Sequence, residues 1–224
     1  MTERSTERLV PLMLALSATT GLIDAVSVIG LGKVFTANMT GNIVFLGFGI
    51  AGATGFATLP ALCALLAFMV GAVIGGRLGA AMTHERLRAW LLTAGSLEAA
   101  MLATAALVAV QYDISTLLPD SVRYAVIALT GLAMGMRNAT VRLLKVPDLT
   151  TTVLTLTITG LAADSHAGGG GNPNWGRRLG AVAAVLAGSA MGAWLVLRFG
   201  LVPPLMLAAA VALTGSLLCA SLLR

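Results

Sequence analysis

The chain has 224 residues, of which 58% are hydrophobic and only 10% are charged. A soluble globular domain carries about 25% charged residues, so this composition is too apolar for one. The net charge of +5 does not indicate nucleic-acid binding, because the Lys and Arg residues lie in short loops and at helix ends and do not cluster on one soluble face. The sequence therefore predicts an all-α integral membrane protein.

Six apolar stretches are long enough to cross a bilayer, because about 20 helical residues at 1.5 Å each span roughly 30 Å of hydrocarbon. They lie at 9–31, 58–81, 89–110, 122–143, 179–197 and 203–223. The first follows Arg4 and Arg8, as the apolar region of a signal peptide would, but it continues to Leu31, which favours a retained span. Two shorter segments, 36–52 and 148–163, carry polar residues, and we expect them to be broken or to enter the membrane without crossing.

The positions of Lys and Arg predict the orientation, since cytoplasmic loops carry the excess of these residues. With six spans and a cytoplasmic N-terminus, eleven cationic residues lie toward the cytoplasm and three, Lys33, Arg123 and Arg198, lie outside. If both short segments crossed, the split would be about six against eight. The charge distribution therefore favours six spans.

The two halves of the chain resemble each other weakly. Residues 20–53 align without gaps on residues 130–163, with six identities in 34 positions. The segment 71–75 also matches 188–192 if the second half carries a seven-residue insertion. Part of this similarity can arise by chance in a chain rich in Ala and Leu.

A duplication would divide the chain into residues 1–111 and 112–224, each with three spans and one short segment. Because three crossings reverse the direction of the chain, the halves would have opposite orientations, as in transporters with inverted repeats. The short segments 36–52 and 148–163 would then enter from opposite faces and meet near the middle of the membrane.

Asp24 is an acid within the first span, where a carboxylate without a partner is costly. Successive spacings of three, four and three residues join Ser17, Thr20, Asp24 and Ser27. All four therefore share one stripe of the helix. Such a stripe lines either a helix interface or a watery path. Asp24 therefore either belongs to a solute site or pairs with a cation such as Arg137 to hold helices together.

The first short segment is unusually polar for a membrane setting. Asn38 and Asn42, four residues apart, would share a helix face, and unpaired amides in hydrocarbon must meet other protein groups or a solute. Asp148 and Thr150 occupy the corresponding places in the second half. The predicted solute-binding residues are Asp24, Asn38, Thr40, Gly41, Asn42, Arg137, Asn138, Asp148 and Thr150. Asp24 and Glu98, which lies in the third span, are also predicted to handle a proton or ion.

Other features predict packing and not chemistry. Cys63 and Cys219 lie inside apolar stretches without metal-ligand spacing, so we expect neither a metal site nor a cofactor. Gly71, Gly75 and Gly79 recur every four residues, and a similar small-residue face occurs in the second half. Such faces allow close helix approach, within the chain or in a homodimer, and the remaining surface would contact membrane lipid.

The combination of Gly21-Leu22-Ile23-Asp24-Ala25 with Phe35-Thr36-Ala37-Asn38-Met39-Thr40-Gly41-Asn42 resembles the YoaK family of bacterial inner-membrane proteins. The resemblance extends over nearly the whole chain. It implies a protein of the bacterial inner membrane with six spans and a transporter-like character, without specifying a solute.

The sequence therefore favours a small-solute secondary transporter or facilitator with a polar site near the middle of the membrane. A channel-like pore is the alternative, because short segments entering from opposite faces also build channel constrictions. A structural or accessory membrane protein is a third class. An enzyme is the least favoured, since the sequence has no phosphate-binding loop, nucleophile elbow or metal cluster.

Overall fold

The computed structural model describes residues 3–82, 87–144 and 154–222, and within these ranges every regular element is a helix. The helices are α1 (Glu3–Ala25), α2 (Met39–Ile50), α3 (Thr58–Met82), α4 (Leu87–Val108), α5 (Asp120–Leu144), α6 (Leu154–Ala163), α7 (Trp175–Phe199) and α8 (Val202–Leu222). A π-helical turn, Val26–Gly30, extends α1. The all-α class predicted from the sequence is confirmed.

Five helical stretches in the described ranges are long and apolar enough to cross a membrane. They are Leu9–Gly30, Thr58–Met82, Leu87–Gln111, Trp175–Phe199 and Val202–Ser221. The sixth predicted span corresponds to α5, which has 25 residues but carries Asp120, Arg123, Arg137 and Arg142. The helix is long enough to cross a membrane, but with these charged residues it is less apolar than the other five.

The long helices run between two ends of the bundle, which we call end A and end B. At end B, the last residues of α1 meet the residues that precede and begin α5. The Tyr112 hydroxyl donates a hydrogen bond to the Gly30 carbonyl (3.0 Å), and Arg123 Nε donates one to the Leu31 carbonyl (3.0 Å). Leu201, just before α8, packs on Gly30 at the same end.

End A gathers the opposite termini of these helices. Glu7 near the start of α1 lies 3.5 Å from Arg177 at the start of α7. Trp90 of α4, Leu144 of α5 and Cys219 of α8 share one buried apolar cluster with the first turns of α1. Consecutive long helices therefore run in alternating directions between the two ends.

The short helix α2 begins inside the bundle and ends near end B. The Ala37 amide, just before α2, donates a hydrogen bond to Asp24, which lies at the end of α1, six residues before the end of the π-helical turn that extends it. At its other end, the Phe48 ring contacts Phe56 (5.1 Å between centroids), and Lys33 Nζ lies 5.5 Å from the Phe56 centroid. At 12 residues, α2 is about 18 Å long, which is short of the hydrocarbon thickness.

The second short helix, α6, packs on α7 and ends near end A. Asp164, which follows α6 directly, forms an ion pair of 2.6 Å with Arg178 in the first turns of α7. Gly160 of α6 lies against the same guanidinium. The short helices α2 and α6 thus lie near opposite ends of the bundle, each packed on the long helix that follows it.

The helices pair in a pattern that stays the same when the two halves are exchanged. Helix α1 packs on α7 and α3 packs on α5; α1 also packs on α8, and α4 on α5; α4 and α8 contact each other between the halves. A Cβ at Gly188 would overlap the Ala18 carbonyl, and one at Gly71 would overlap the Leu132 carbonyl, so both close contacts require glycine. The small-residue faces of α3 and α7 are therefore used inside the chain.

These contacts relate the two halves in a different register from the sequence alignment. The Leu22 carbonyl lies against Gly192, and the Leu132 carbonyl lies against Gly71. Since Leu22 aligns with Leu132 in the sequence, Gly71 corresponds in packing to Gly192, one helical turn from the predicted match with Gly188. Small residues recur every four residues on both helices, so the sequence alone does not distinguish these two registers.

Candidate functional site

An ion pair between Arg137 of α5 and Glu98 of α4 lies inside the bundle. Both residues are buried, with 2% and 4% exposure. Arg137 Nε donates a hydrogen bond of 2.9 Å to Glu98 Oε1, and Nη2 donates to the same oxygen. Oε2 is therefore the carboxylate oxygen that Arg137 does not engage.

Helix α1 supplies the remaining partners of the guanidinium. Arg137 Nη1 donates to the Leu16 carbonyl (3.1 Å) and to Thr20 Oγ1 (3.2 Å). The Thr20 hydroxyl itself donates back to Leu16 (2.9 Å), which orients its oxygen lone pairs toward Arg137. The sequence placed Thr20 on the polar stripe of α1, and this residue joins that stripe to the ion pair.

The partner of Arg137 differs from the one considered in the sequence analysis. The sequence admits Asp24 as an acid that could pair with Arg137, but Glu98 takes this role. Glu98, predicted only as an ion-handling residue, therefore belongs to the same cluster as Arg137. The sequence could not choose between the two acids, because both lie within apolar helices at a suitable depth.

A small cavity of about 20 Å³ lies beside the ion pair, which is room for one water molecule. Three helices contribute polar groups to its wall, through Glu98, Arg137, Thr140 and Ser216. The other lining residues are apolar: Leu12, Met13, Leu16, Leu91, Ala94, Gly95, Met136, Val141 and Leu144. Gly95 brings α4 against Ser216 of α8, so the cavity is bounded on that side by a close helix contact.

Asp24 lies where the end of α1 meets the loop before α2. One of its carboxylate oxygens accepts the Ala37 amide, while the other, Oδ1, is buried without a hydrogen-bond partner among the described residues. Thr36 Oγ1, one residue before Ala37, is also buried without a partner there. The π-helical turn Val26–Gly30 follows directly, and such turns are frequent at functional sites.

The other predicted residues of this segment are not gathered into one pocket. Asn42 is fully buried, but its amide holds the backbone of Phe35, accepting from the Phe35 N–H (2.9 Å) and donating to its carbonyl (2.5 Å). Gly41 packs on the Phe35 ring. Asn38 and Thr40 are exposed on the surface of the chain. Asn42 therefore shapes the loop, whereas Asp24 is the acid that the loop approaches.

The remaining predicted residues belong to the second half. Asn138 is half-buried on α5 and donates to the Met134 carbonyl (2.8 Å), one turn earlier. Asp148 and Thr150 lie outside the described residues. In the described ranges, no group of three or more metal-ligating side chains occurs.

A second pocket, which we call the end-B pocket, opens at end B with a volume of about 440 Å³. The residues that line it are Gly32, Lys33, Gly55, Phe56, Ala57, Leu117 and Arg123. From the sequence, Lys33 and Arg123 are predicted only as exterior charges. Their meeting was not visible in the sequence, because 90 positions separate them.

An all-α chain with several apolar helices that can cross a bilayer, and with an ion pair enclosed between them, is a multi-pass membrane protein. Residues 12–219 match the family described as "Protein of unknown function (DUF1275)", and the chain belongs to this family. The resemblance noted in the sequence is confirmed.

Over 153 residues, the chain is 30% identical to the UPF0700 transmembrane protein YoaK of Bacillus subtilis (strain 168). The alignment covers 68% of this chain and 65% of that protein, so slightly less than two thirds of YoaK is matched. No solved structure matches the chain.

Proposed function

We propose that the protein is a small-solute secondary transporter or facilitator of the bacterial inner membrane. The observation that carries this proposal is the ion pair of Arg137 and Glu98, enclosed between α1, α4 and α5 beside a cavity. Charged groups within membrane bundles are costly, and they mark solute and ion pathways. In this proposal, the cluster and the neighbouring Asp24 form the polar centre of the pathway.

The proposed topology has six crossings, with α2 and α6 as non-crossing segments. In support, the C-terminal end of α1 and the start of α3 both lie at end B, so the chain between them leaves and returns on one side. End A carries the excess of Lys and Arg, which favours a cytoplasmic end A and N-terminus. The exchange symmetry of the helix pairing then supports an inverted repeat.

A buried ion pair can also be purely structural, so the test must separate the two roles. Replacing both partners by apolar residues of similar size is often neutral for stability. The double variant Glu98→Met/Arg137→Met is therefore expected to fold but to lose transport. A structural role predicts that transport survives in this variant.

The solute is first found by a thermal-shift screen of the purified protein against pooled metabolites. Uptake of the stabilising compound is then measured in proteoliposomes, with wild type, the double Met variant and a matched control. Thr214→Val suits the control, because the Thr214 hydroxyl is exposed on α8 and bonds only within its own helix among the described residues. Equal uptake by all three proteins would contradict the proposal.

A channel-like pore is the second function that an observation favours, because α2 and α6 lie near opposite ends of the bundle. The same proteoliposomes distinguish the two. A transporter coupled to a proton or ion gradient accumulates solute against its concentration difference, whereas a channel only equilibrates it. Accumulation that collapses on adding an ionophore would favour the transporter.

A further inference from the structure

The end-B pocket concentrates positive charge at the end of the bundle that has least of it. Among the residues that the structure describes, end B holds three cationic side chains, Lys33, Arg123 and Arg198, and two of these line the same pocket. The rule that sorts cations to the cytoplasmic side does not explain why two of the three meet.

Arg123 is held in place with much of its guanidinium left available. Its Nε donates to the Leu31 carbonyl at 3.0 Å. Nη1 lies 3.7 Å from Asp120 Oδ1, which is beyond hydrogen-bond distance, and the Asp120 side chain is 67% exposed. The Arg123 side chain is only 12% exposed, but its partner lies mostly in solvent and beyond hydrogen-bond distance, so Asp120 neutralises Arg123 only in part.

Lys33 completes the charged wall of the pocket. Its ammonium lies 5.5 Å from the centroid of Phe56 and forms no ion pair within the described part of the chain. A cation that rests on an aromatic face keeps its charge and its N–H donors for a further partner. Lys33 and Arg123 thus present N–H donors to one volume without a carboxylate between them.

The backbone around the pocket adopts strained conformations. Lys33 and Leu117 both have φ of 58°, in the left-handed region that bulky residues avoid. Gly32 has φ of 86°, which favours glycine, and a Cβ there would lie 2.9 Å from Arg123 Nη2, so a side chain at this position would displace the guanidinium. Backbone strain of this kind is found at ligand sites, where the surrounding structure maintains it.

We propose that the end-B pocket binds a small oxyanion, a carboxylate or phosphate, between Lys33 and Arg123. This inference rests on the proposed function, in that the oxyanion is the solute or a group on it, captured at the exterior end. Neither Nη group of Arg123 makes a hydrogen bond among the described residues, so the pair can match the two oxygens of a carboxylate or phosphate, and Lys33 adds a point charge. A phospholipid headgroup offers the same phosphate chemistry, so the test separates the two sources.

The chain contains only two lysines, Lys33 and Lys145, so Lys145→Arg leaves Lys33 as the sole lysine. This variant is purified as the full chain in nanodiscs of phosphatidylcholine. Lys33 is acylated by an amine-reactive reagent in millimolar inorganic phosphate or in chloride of equal ionic strength. Mass spectrometry of the peptide that contains Lys33 measures the extent of acylation. Acetate serves as the carboxylate probe.

A bound anion covers the Lys33 amine. At a phosphate concentration of twice the Kd for phosphate, the acylation of Lys33 is therefore expected to be about threefold slower. In the same background, Arg123→Gln should shift this protection to higher phosphate, while Arg123→Lys should retain part of it. Arg198→Gln is the matched control, since it removes an exposed cation of end B that does not line the pocket. Its protection should equal that of the parent.

Equal acylation in phosphate, acetate and chloride would overturn the inference, and this comparison needs no variant at Arg123 to fold. Protection by phosphatidylglycerol nanodiscs in chloride alone would assign the pocket to a lipid headgroup, and so overturn the solute assignment. Lys33→Asn, which keeps a residue tolerant of positive φ, separates this inference from the proposed function. Phosphate protection without any solute uptake would refute only transport. If phosphate does not protect Lys33 in the parent protein and solute uptake is unchanged in Lys33→Asn, only the proposed pocket is refuted.

Discussion

Arg137 on α5 donates hydrogen bonds from both Nε and Nη2 to a single oxygen of Glu98 on α4. This geometry joins two helices of different halves and leaves Glu98 Oε2 unengaged by the guanidinium. The third guanidinium nitrogen reaches α1, so one side chain links three helices.

The ion pair gives the first prediction, on stability. Glu98→Met alone leaves a buried guanidinium without its charge partner and should lower the free energy of unfolding by about 3–5 kcal/mol. Glu98→Met/Arg137→Met should recover most of that loss, because no charge is left unpaired. Denaturant titrations in matched detergent measure both. A double variant as unstable as the single one would show that the pair itself holds the fold together.

Asp24 gives the second prediction. Because Oδ1 has no partner among the described residues, Asp24→Asn should leave the melting temperature nearly unchanged while solute uptake falls. Thr36→Val is a control for the buried hydroxyl alone and should be neutral or stabilising, since it removes a donor without a described partner. Melting temperature and uptake are measured on the same preparations. Full uptake by Asp24→Asn would remove Asp24 from the site.

Helix packing supports a third prediction, for glycine substitutions. Gly188→Ala and Gly71→Ala each place a methyl group on a carbonyl of the facing helix, so each should cost about 1–3 kcal/mol. Gly76→Ala is the matched control on α3, because its Cβ would enter open space, and it should gain up to about 1 kcal/mol from helix propensity. Similar melting temperatures for Gly71→Ala and Gly76→Ala would argue against the close contact of α3 and α5.

The fourth prediction concerns Tyr112 at end B. Burial raises the pKa of Tyr112 to about 12, so its hydroxyl stays a donor to Gly30 across the physiological range. Tyr124→Phe leaves Tyr112 as the only tyrosine, and ultraviolet absorbance should then show ionisation near pH 12. Unfolding this variant should return the midpoint to about 10. The stability that Tyr112 contributes is present below about pH 10 and is lost as the pH rises toward 12.

Topology is the subject of the fifth prediction. In a Cys63→Ala/Cys219→Ala background, Ser121→Cys at end B should react with a membrane-impermeant thiol reagent added to intact cells. His166→Cys, near end A, should react only after the membrane is opened. Both positions are exposed, so accessibility within the protein does not limit either reaction. Labelling of His166→Cys from outside would reverse the proposed orientation.

The sequence alone determined the class of protein and the positions of its long helices. Apolar run length and charge content are local properties, and they predicted all six long helices to within a few residues at most ends. The family was also recognisable from a short polar segment, 35–42, that follows Asp24. The polar stripe of α1 correctly included Thr20, because three- and four-residue spacing alone places side chains on one helix face.

Which polar residues meet depends on how the helices pack. Glu98 lies 39 positions from Arg137, and Leu16 lies 121 positions away, so helix packing had to bring them together. The same holds for Lys33 and Arg123, whose shared pocket depends on the hydrogen bond that Arg123 Nε donates to the Leu31 carbonyl. Periodicity fixes which residues share a face of one helix. Which residues become partners across two helices depends on how the helices are rotated and aligned against each other. Close contacts at glycines set this rotation and alignment, and no local sequence pattern contains that information.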